Sequence, residues 1–187
     1  MRLLSGRTMG VVAAVVAAAA GPAVPAASAA PAPVRAAGAW TAALAPGSTA
    51  EFLDVATDQP ISCDRSAASG TDHVIQQVTW ECAGEPGSTT DVEQSGPMVF
   101  DPASSSGGVI SGSVSGVNVR FAIDTLFGTC SGSISGSVSN AVFNTVTGEF
   151  SVPGGTGLSI SNVDNCSGLL NDGDPAAFTA TYRVVFA

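Results

Sequence analysis

The chain has no lysine, one histidine, and only 11% charged residues among its 187 positions. Nucleic acids and anionic membrane surfaces are held by stripes of basic side chains. Here the only cations are Arg2, Arg7, Arg35, Arg65, Arg120 and Arg183, scattered along a chain of net charge −9. That excludes nucleic acid as a partner, and the acidity reads as solubility outside the cell. Cys-x-x-Cys is absent, as are close cysteine or histidine pairs, so neither a dithiol redox centre nor a zinc site has its ligands. No Gly-x-Ser-x-Gly elbow and no Gly-Asp-Ser-Gly run marks a nucleophile. A serine-dependent hydrolase would have to use His73 as its base, with Asp72 or Asp124 behind it. Glycosidase chemistry would need two carboxylates that nothing in the sequence singles out. The run Gly154-Gly155-Thr156-Gly157 after Pro153 lacks the helix and lysine of a phosphate loop and reads as a turn. No catalytic residue is assigned and no cofactor is expected.

The N-terminus carries an address. Arg2 and Arg7 precede an apolar run from Met9 to Ala20, and Ala27-Ser28-Ala29 has the small-x-small pattern of a signal-peptidase site. Residues 1–29 are therefore expected to be a signal peptide cleaved after Ala29. The arginines are not adjacent, which points to the general secretory route and away from the twin-arginine one. The first cysteine is Cys63, so lipid anchoring at the processed N-terminus is not expected. No later apolar run reaches membrane length, so the mature part is expected to lack a transmembrane segment and to be secreted. Residues 30–39, rich in Ala and Pro, read as a disordered lead-in, and 40–187 as one domain.

With 22 glycines and 11 prolines, no mature segment sustains an amphipathic helix. One helical turn at Cys166 to Asn171 is the best helical candidate. Strand patterns run from Ala50 to Val55, Val74 to Cys82, Met98 to Phe100 and Gly107 to Ile123. Others follow at Ser131 to Ser139, Ala141 to Val146, Glu149 to Val152, Gly157 to Val163 and Ala177 to Phe186. Turns are expected over Asp58 to Asp72, around a short strand near Cys63, and again at Glu85 to Ser88 and Asp101-Pro102. The clearest alternation puts Phe178, Ala180, Tyr182, Val184 and Phe186 on one face. Ile-Ser-Gly-Ser-Val-Ser occurs twice, at Ile110 to Ser115 and Ile134 to Ser139. Two copies are too few for a solenoid, so they are expected to be neighbouring strands with serines outward. Gly112 and Gly136 would leave room for Trp80 or Phe121. The fold class is all-β: a single antiparallel sandwich or barrel of about 8 to 11 short strands.

Four cysteines in an exported chain imply two disulfides, with three pairings open. Pairing sequence neighbours joins Cys63 to Cys82 and Cys130 to Cys166, each closure stabilising by about 3 to 4 kcal/mol in the chain-entropy picture. The acidic turn Asn171-Asp172-Gly173-Asp174, with Asp164, offers Asp164, Asp172 and Asp174 as oxygen ligands for calcium. Its spacing fails the EF-hand loop, and a tight turn explains the same residues, so no metal is assigned.

The run from Asn165 to Tyr182, taken with Cys63, Cys82 and Cys130, resembles a family of exported actinobacterial all-β proteins. These share a signal peptide, four spaced cysteines and a Gly-Asp-Pro-Ala-x-Phe-x-Ala-Thr-Tyr ending, here Gly173 to Tyr182. The resemblance implies secretion and the sequential cysteine pairing, and carries no activity. Three functions are compatible with these residues. The chain is first read as a secreted or envelope-associated non-enzymatic β-domain that binds an extracellular or envelope partner. The alternatives are a secreted hydrolase using carboxylates or a Ser and His73 pair, and an apoprotein that shelters a small apolar metabolite.

Overall fold

The computed structural model describes residues 38–83, 89–126 and 128–187. The signal segment, most of the lead-in and the turn expected at Glu85 to Ser88 lie outside them. Ten strands follow in order: β1 (Ala39–Leu44), β2 (Ala50–Asp54), β3 (Gln59–Thr71), β4 (Val74–Ala83), β5 (Thr89–Gln94), β6 (Met98–Ser106), β7 (Val109–Thr125), β8 (Gly128–Asn144), β9 (Glu149–Asp164) and β10 (Pro175–Phe186). All pairings are antiparallel. β1 and β2 stand end to end as one stave, both lying between β10 and β3. β5 and β6 likewise form one stave between β4 and β7. With β3–β4, β7–β8, β8–β9 and β9–β10 paired in turn, the sheet closes into an eight-stave up-and-down barrel. Closure gives each stave a neighbour on both sides, while β6 beyond Phe100 runs past β4 and pairs with β7 alone.

Each broken stave is stitched to its neighbour by backbone. Where β1 gives way to β2, the Ala45 amide donates to Thr181 O at 2.8 Å, and Ser48 Oγ donates to the same oxygen at 3.0 Å. Where β5 gives way to β6, the Ser95 amide donates to Asn118 O at 2.7 Å.

Alternation decides which residues face inward. Phe178, Tyr182, Val184 and Phe186 of β10 point into the barrel, as their period predicts. The repeated hexapeptides lie on paired strands, with Val114 opposite Val138 and their Ile and Val side chains buried. On β4, Val78 and Trp80 face inward. Ile75 joins them because the β3–β4 register shifts between Ser69 and Gly70, which turns Ile75 to the same side.

Several local expectations are corrected. β3 is a 13-residue strand, not a chain of turns, because β1, β2 and β4 pair along both its edges. Its Ala, Ser and Gly residues have little strand preference of their own. β6 runs on through Asp101-Pro102, absorbing Pro102 at a register shift against β7. β9 likewise runs through Pro153 to Gly157, where β8 and β9 change register together between Gly136 and Val142. Cys166 to Asn171 forms a turn and no helix. Ser167 and Gly168 have φ of 53° and 79°, and the Leu169 amide donates to Cys166 O at 3.0 Å.

The room for Phe121 comes from Gly132, not from Gly112 or Gly136. A Cβ on Gly132 would meet the Phe121 ring, whereas one on Gly112 would meet Asp101 and Phe100, and one on Gly136 the Gly157 backbone. Both disulfides join sequence neighbours, Cys63 to Cys82 and Cys130 to Cys166, with sequence separations of 19 and 36. The first links two directly opposed residues of β3 and β4. The second pins the β9–β10 loop to β8, and Leu170 of that loop is buried at this end of the barrel.

A candidate ligand cavity inside the barrel

An eight-stave barrel has an interior just wide enough to be filled by side chains or to hold one small ligand. Here the filling is incomplete, and an apolar cavity of about 120 Å³ remains. Its wall draws on strands all around the barrel, with buried Phe52, Val78, Val119 and Val152 and half-buried Phe178 among the lining. Phe52 packs on Trp80 (centroids 5.7 Å apart, 69° between planes) and on Phe178 (4.6 Å, 39°). Edge contacts of this kind hold rings in fixed orientations.

The cavity reaches the end of the barrel where β3 turns into β4. There Trp40, Asp72, His73, Phe143, Phe150 and Phe186 line it, and Phe186 is 47% exposed. Phe100 bridges this collar inward, edge-on to Phe150 at 5.4 Å and to the His73 ring at 6.4 Å. Phe143 and Phe186 meet at 6.0 Å. The two-residue turn Asp72-His73 is fixed by its surroundings. Asp72 takes a left-handed backbone (φ 51°), its Oδ1 accepts the Gly38 amide at 3.2 Å, and its carbonyl accepts Trp40 Nε1–H at 3.1 Å. Gly70 supplies the space beneath the indole, since a Cβ there would meet the Trp40 ring and Val74 O.

Away from the mouth, Trp80 and Tyr182 bring polar groups to the apolar wall, and Ser66 backs Tyr182 from behind it. The Tyr182 hydroxyl lies 2.9 Å from Ser66 Oγ, with both residues buried. Burial raises the Tyr182 pKa above its ordinary value, and the Ser66 hydroxyl and the Trp80 indole oppose that rise. Although the indole stands near enough to influence Tyr182, the Trp80 Nε1–H is buried and makes no hydrogen bond of acceptable geometry among the described residues. Indole N–H is a donor only, and a buried donor without a partner is uncommon.

No family model matches the chain, and no curated protein or solved structure matches it. Its chemistry therefore has to be read from the geometry above.

The residues singled out in the sequence are dispersed. His73 sits at the open end, whereas Asp124 lies at the opposite end beside the β7–β8 turn, which separates the two partners a His73-based hydrolase would need. Asp124 accepts hydroxyl hydrogen bonds from Thr89 (2.7 Å) and Thr129 (2.8 Å), and these hold its carboxyl below the ordinary aspartate pKa against a small opposing effect of burial. Asp72 is used by the turn. Among the described residues the His73 imidazole has no hydrogen bond or ion pair to a carboxylate or serine, so no nucleophile–base pair forms around it.

The acidic turn packs at the closed end. Asp172 Oδ1 accepts the Val163 amide at 2.9 Å and Asp174 Oδ2 accepts from Asn171 Nδ2 at 2.9 Å, so each carboxylate is occupied separately. Among the described residues, no three His, Cys, Asp or Glu side chains stand close enough to hold a metal, and Asp164, Asp172 and Asp174 do not form such a set.

Sequence reasoning missed two things. Asp54, at the end of β2, is 2% exposed; its Oδ1 accepts the Ala56 and Thr57 amides at 2.8 and 3.2 Å, and its Oδ2 is buried with no partner among the described residues. Nothing in a short alternating strand flags such burial. The Trp80, Tyr182 and Ser66 group was also missed, although a tyrosine on the apolar face of β10 signals a buried hydroxyl that needs a partner.

Proposed function

We propose that this protein is an exported, non-enzymatic carrier that holds one small apolar molecule inside its barrel. The observation that carries the reading is the apolar cavity of about 120 Å³ with an aromatic mouth at one end. Apolar cavities of this order in other proteins stay dry and take up ligands such as benzene. At the opposite end the described β9–β10 loop packs Leu170 beside its disulfide, and the aromatic mouth offers the ligand an entry past Trp40, His73 and Phe186.

Export is supported by the leader-like N-terminus, by the resemblance to exported four-cysteine proteins, and by two disulfides, which persist in oxidising compartments. Among the described residues no helix is long and apolar enough to cross a membrane. The barrel places serines and charged residues such as Arg65, Glu93 and Arg120 outside and apolar side chains inside, the reverse of a barrel that faces lipid.

The test is titration with toluene, a neutral single-ring probe. Trp40 and Trp80 both line the cavity, so their fluorescence is expected to change saturably and the melting temperature to rise with ligand. Ala68→Phe, which places a ring in the cavity, is expected to abolish both responses. Unchanged fluorescence and melting at saturating toluene, for the unmodified protein, would count against a ligand-holding barrel. Native mass spectrometry of protein from producing cells would then identify the natural occupant by its added mass.

A further inference from the structure

We infer that the occupant is an amphiphile with one unbranched alkyl chain, threaded along the barrel axis with its polar end held at the mouth. The inference rests on the ligand-holding reading and names the class of molecule held.

The shape of the cavity carries it. On β10 the cavity touches Phe178, Tyr182, Val184 and Phe186, and on β7 it touches inward residues from Ile110 to Val119. At about 3.3 Å per residue, and with barrel strands tilted by about 40°, the span from Phe178 to Phe186 covers roughly 20 Å of the axis. The volume is about 120 Å³, comparable with an apolar cavity that holds a single benzene ring. Space for one ring drawn out over that distance is a slot, and a compact ring would meet only one level of it. An unbranched chain follows a slot and meets every level.

The wall and the mouth set the two ends. Away from the mouth the lining includes Val117, Val119 and Val152, with the rings of Phe52 and Phe178 packed 4.6 Å apart. No charged side chain lines that part, so a charged group there would lose its water without a counter-charge. Asp72 and His73 line the mouth, beside the exposed Phe186. A polar end group placed there keeps its hydration, while the methylenes behind it leave water one after another.

Two tryptophans mark the two levels. Trp40 belongs to the mouth, opposite Phe186 and hydrogen-bonded to Asp72 O. Trp80 stands opposite Ser66, further along β3 from the Asp72-His73 turn, and its ring packs on Phe52.

The experiment titrates butanol, hexanol and octanol, all primary and unbranched, into the unmodified protein, with toluene alongside. The Kd is expected to tighten about fourfold for each added methylene through octanol, the range of one buried CH₂. Tightening that stops at hexanol, or toluene binding without any alkanol binding, overturns the inference while the carrier reading stands. If neither toluene nor any alkanol binds, both readings fail together. Orientation is read with octanol brominated either at its terminal carbon or at the carbon next to the alcohol, bromine being a contact quencher of indole emission. Trp40→Phe leaves Trp80 as the sole tryptophan, and Trp80→Phe leaves Trp40. The terminal bromine is expected to cause the larger loss of Trp80 emission, and the bromine beside the alcohol the larger loss of Trp40 emission. Equal quenching by the two isomers, or the opposite order, overturns the inference. The chain-length series needs no variant and decides alone if either tryptophan variant fails to fold.

Discussion

Tyr182 and Ser66 face each other across the inside of the barrel, hydroxyl to hydroxyl at 2.9 Å, with Tyr182 on β10 and Ser66 on β3. The broken stave of β1 and β2 runs between these strands, so the contact reaches over the seam.

Tyr182 is the only tyrosine in the chain, which makes its ionisation directly visible. Its folded pKa is raised by burial, so the stability it contributes is full below the unfolded value of about 10 and is lost as pH rises through the folded value. Ultraviolet titration is expected to show tyrosinate appearing above the ordinary range and together with alkaline unfolding. Tyr182→Phe is expected to flatten the alkaline fall in stability. At neutral pH it costs about 1 to 3 kcal/mol through the Ser66 hydroxyl left unpaired. Tyrosinate forming at the ordinary pH in an intact barrel would contradict this account.

Gly132 and Phe121 form an interlocked pair. A Cβ at position 132 would stand 2.5 Å from Phe121 Cζ and 2.9 Å from Cε1, and Phe121 is only 3% exposed. Gly132→Ala is expected to destabilise by about 1 to 3 kcal/mol through overpacking. Adding Phe121→Leu is expected to recover part of that loss, giving a coupling readable in a double-mutant cycle by chemical denaturation. Purely additive effects of the two changes would show that the ring and the glycine do not constrain each other.

Asp124 predicts the acid limb. Its folded pKa is depressed by the Thr89 and Thr129 hydroxyls. Stability from this group is therefore present above the unfolded value of about 4 and drains away as pH falls through the folded one. Melting temperature followed through the acid range is expected to fall less steeply for Asp124→Asn than for the parent. Parallel curves would assign the acid sensitivity to other carboxylates.

What the sequence made legible was local and periodic. Phe178, Tyr182, Val184 and Phe186 announced their shared face because period-two alternation of large side chains has one physical meaning. The duplicated hexapeptides announced paired strands for the same reason. β3 was illegible because Ala67, Ala68, Ser69 and Gly70 carry no pattern of their own and become strand only through neighbours on both sides. Barrel or sandwich was undecidable along the chain, since the choice rests on whether β1 finds β10. The candidate site was half visible: Trp80 and Tyr182 could be placed on inward faces. That the inward side chains leave a hole depends on volumes and angles summed around the whole ring.

The pairing that closes the ring sets Trp40 opposite Phe186, near the two ends of the described chain. Contacts between residues so distant in sequence carry the largest loop-closure entropy and form late. If the chain leaves the cell N-terminus first, β1 emerges long before the strand that must cover it. Until β10 arrives, β1, β2 and β9 lack the strand that pairs with each of them. The step most exposed to misassembly is thus the final seam, and a chaperone or a neighbouring copy of the same chain would compete for that seam before β10 seals it.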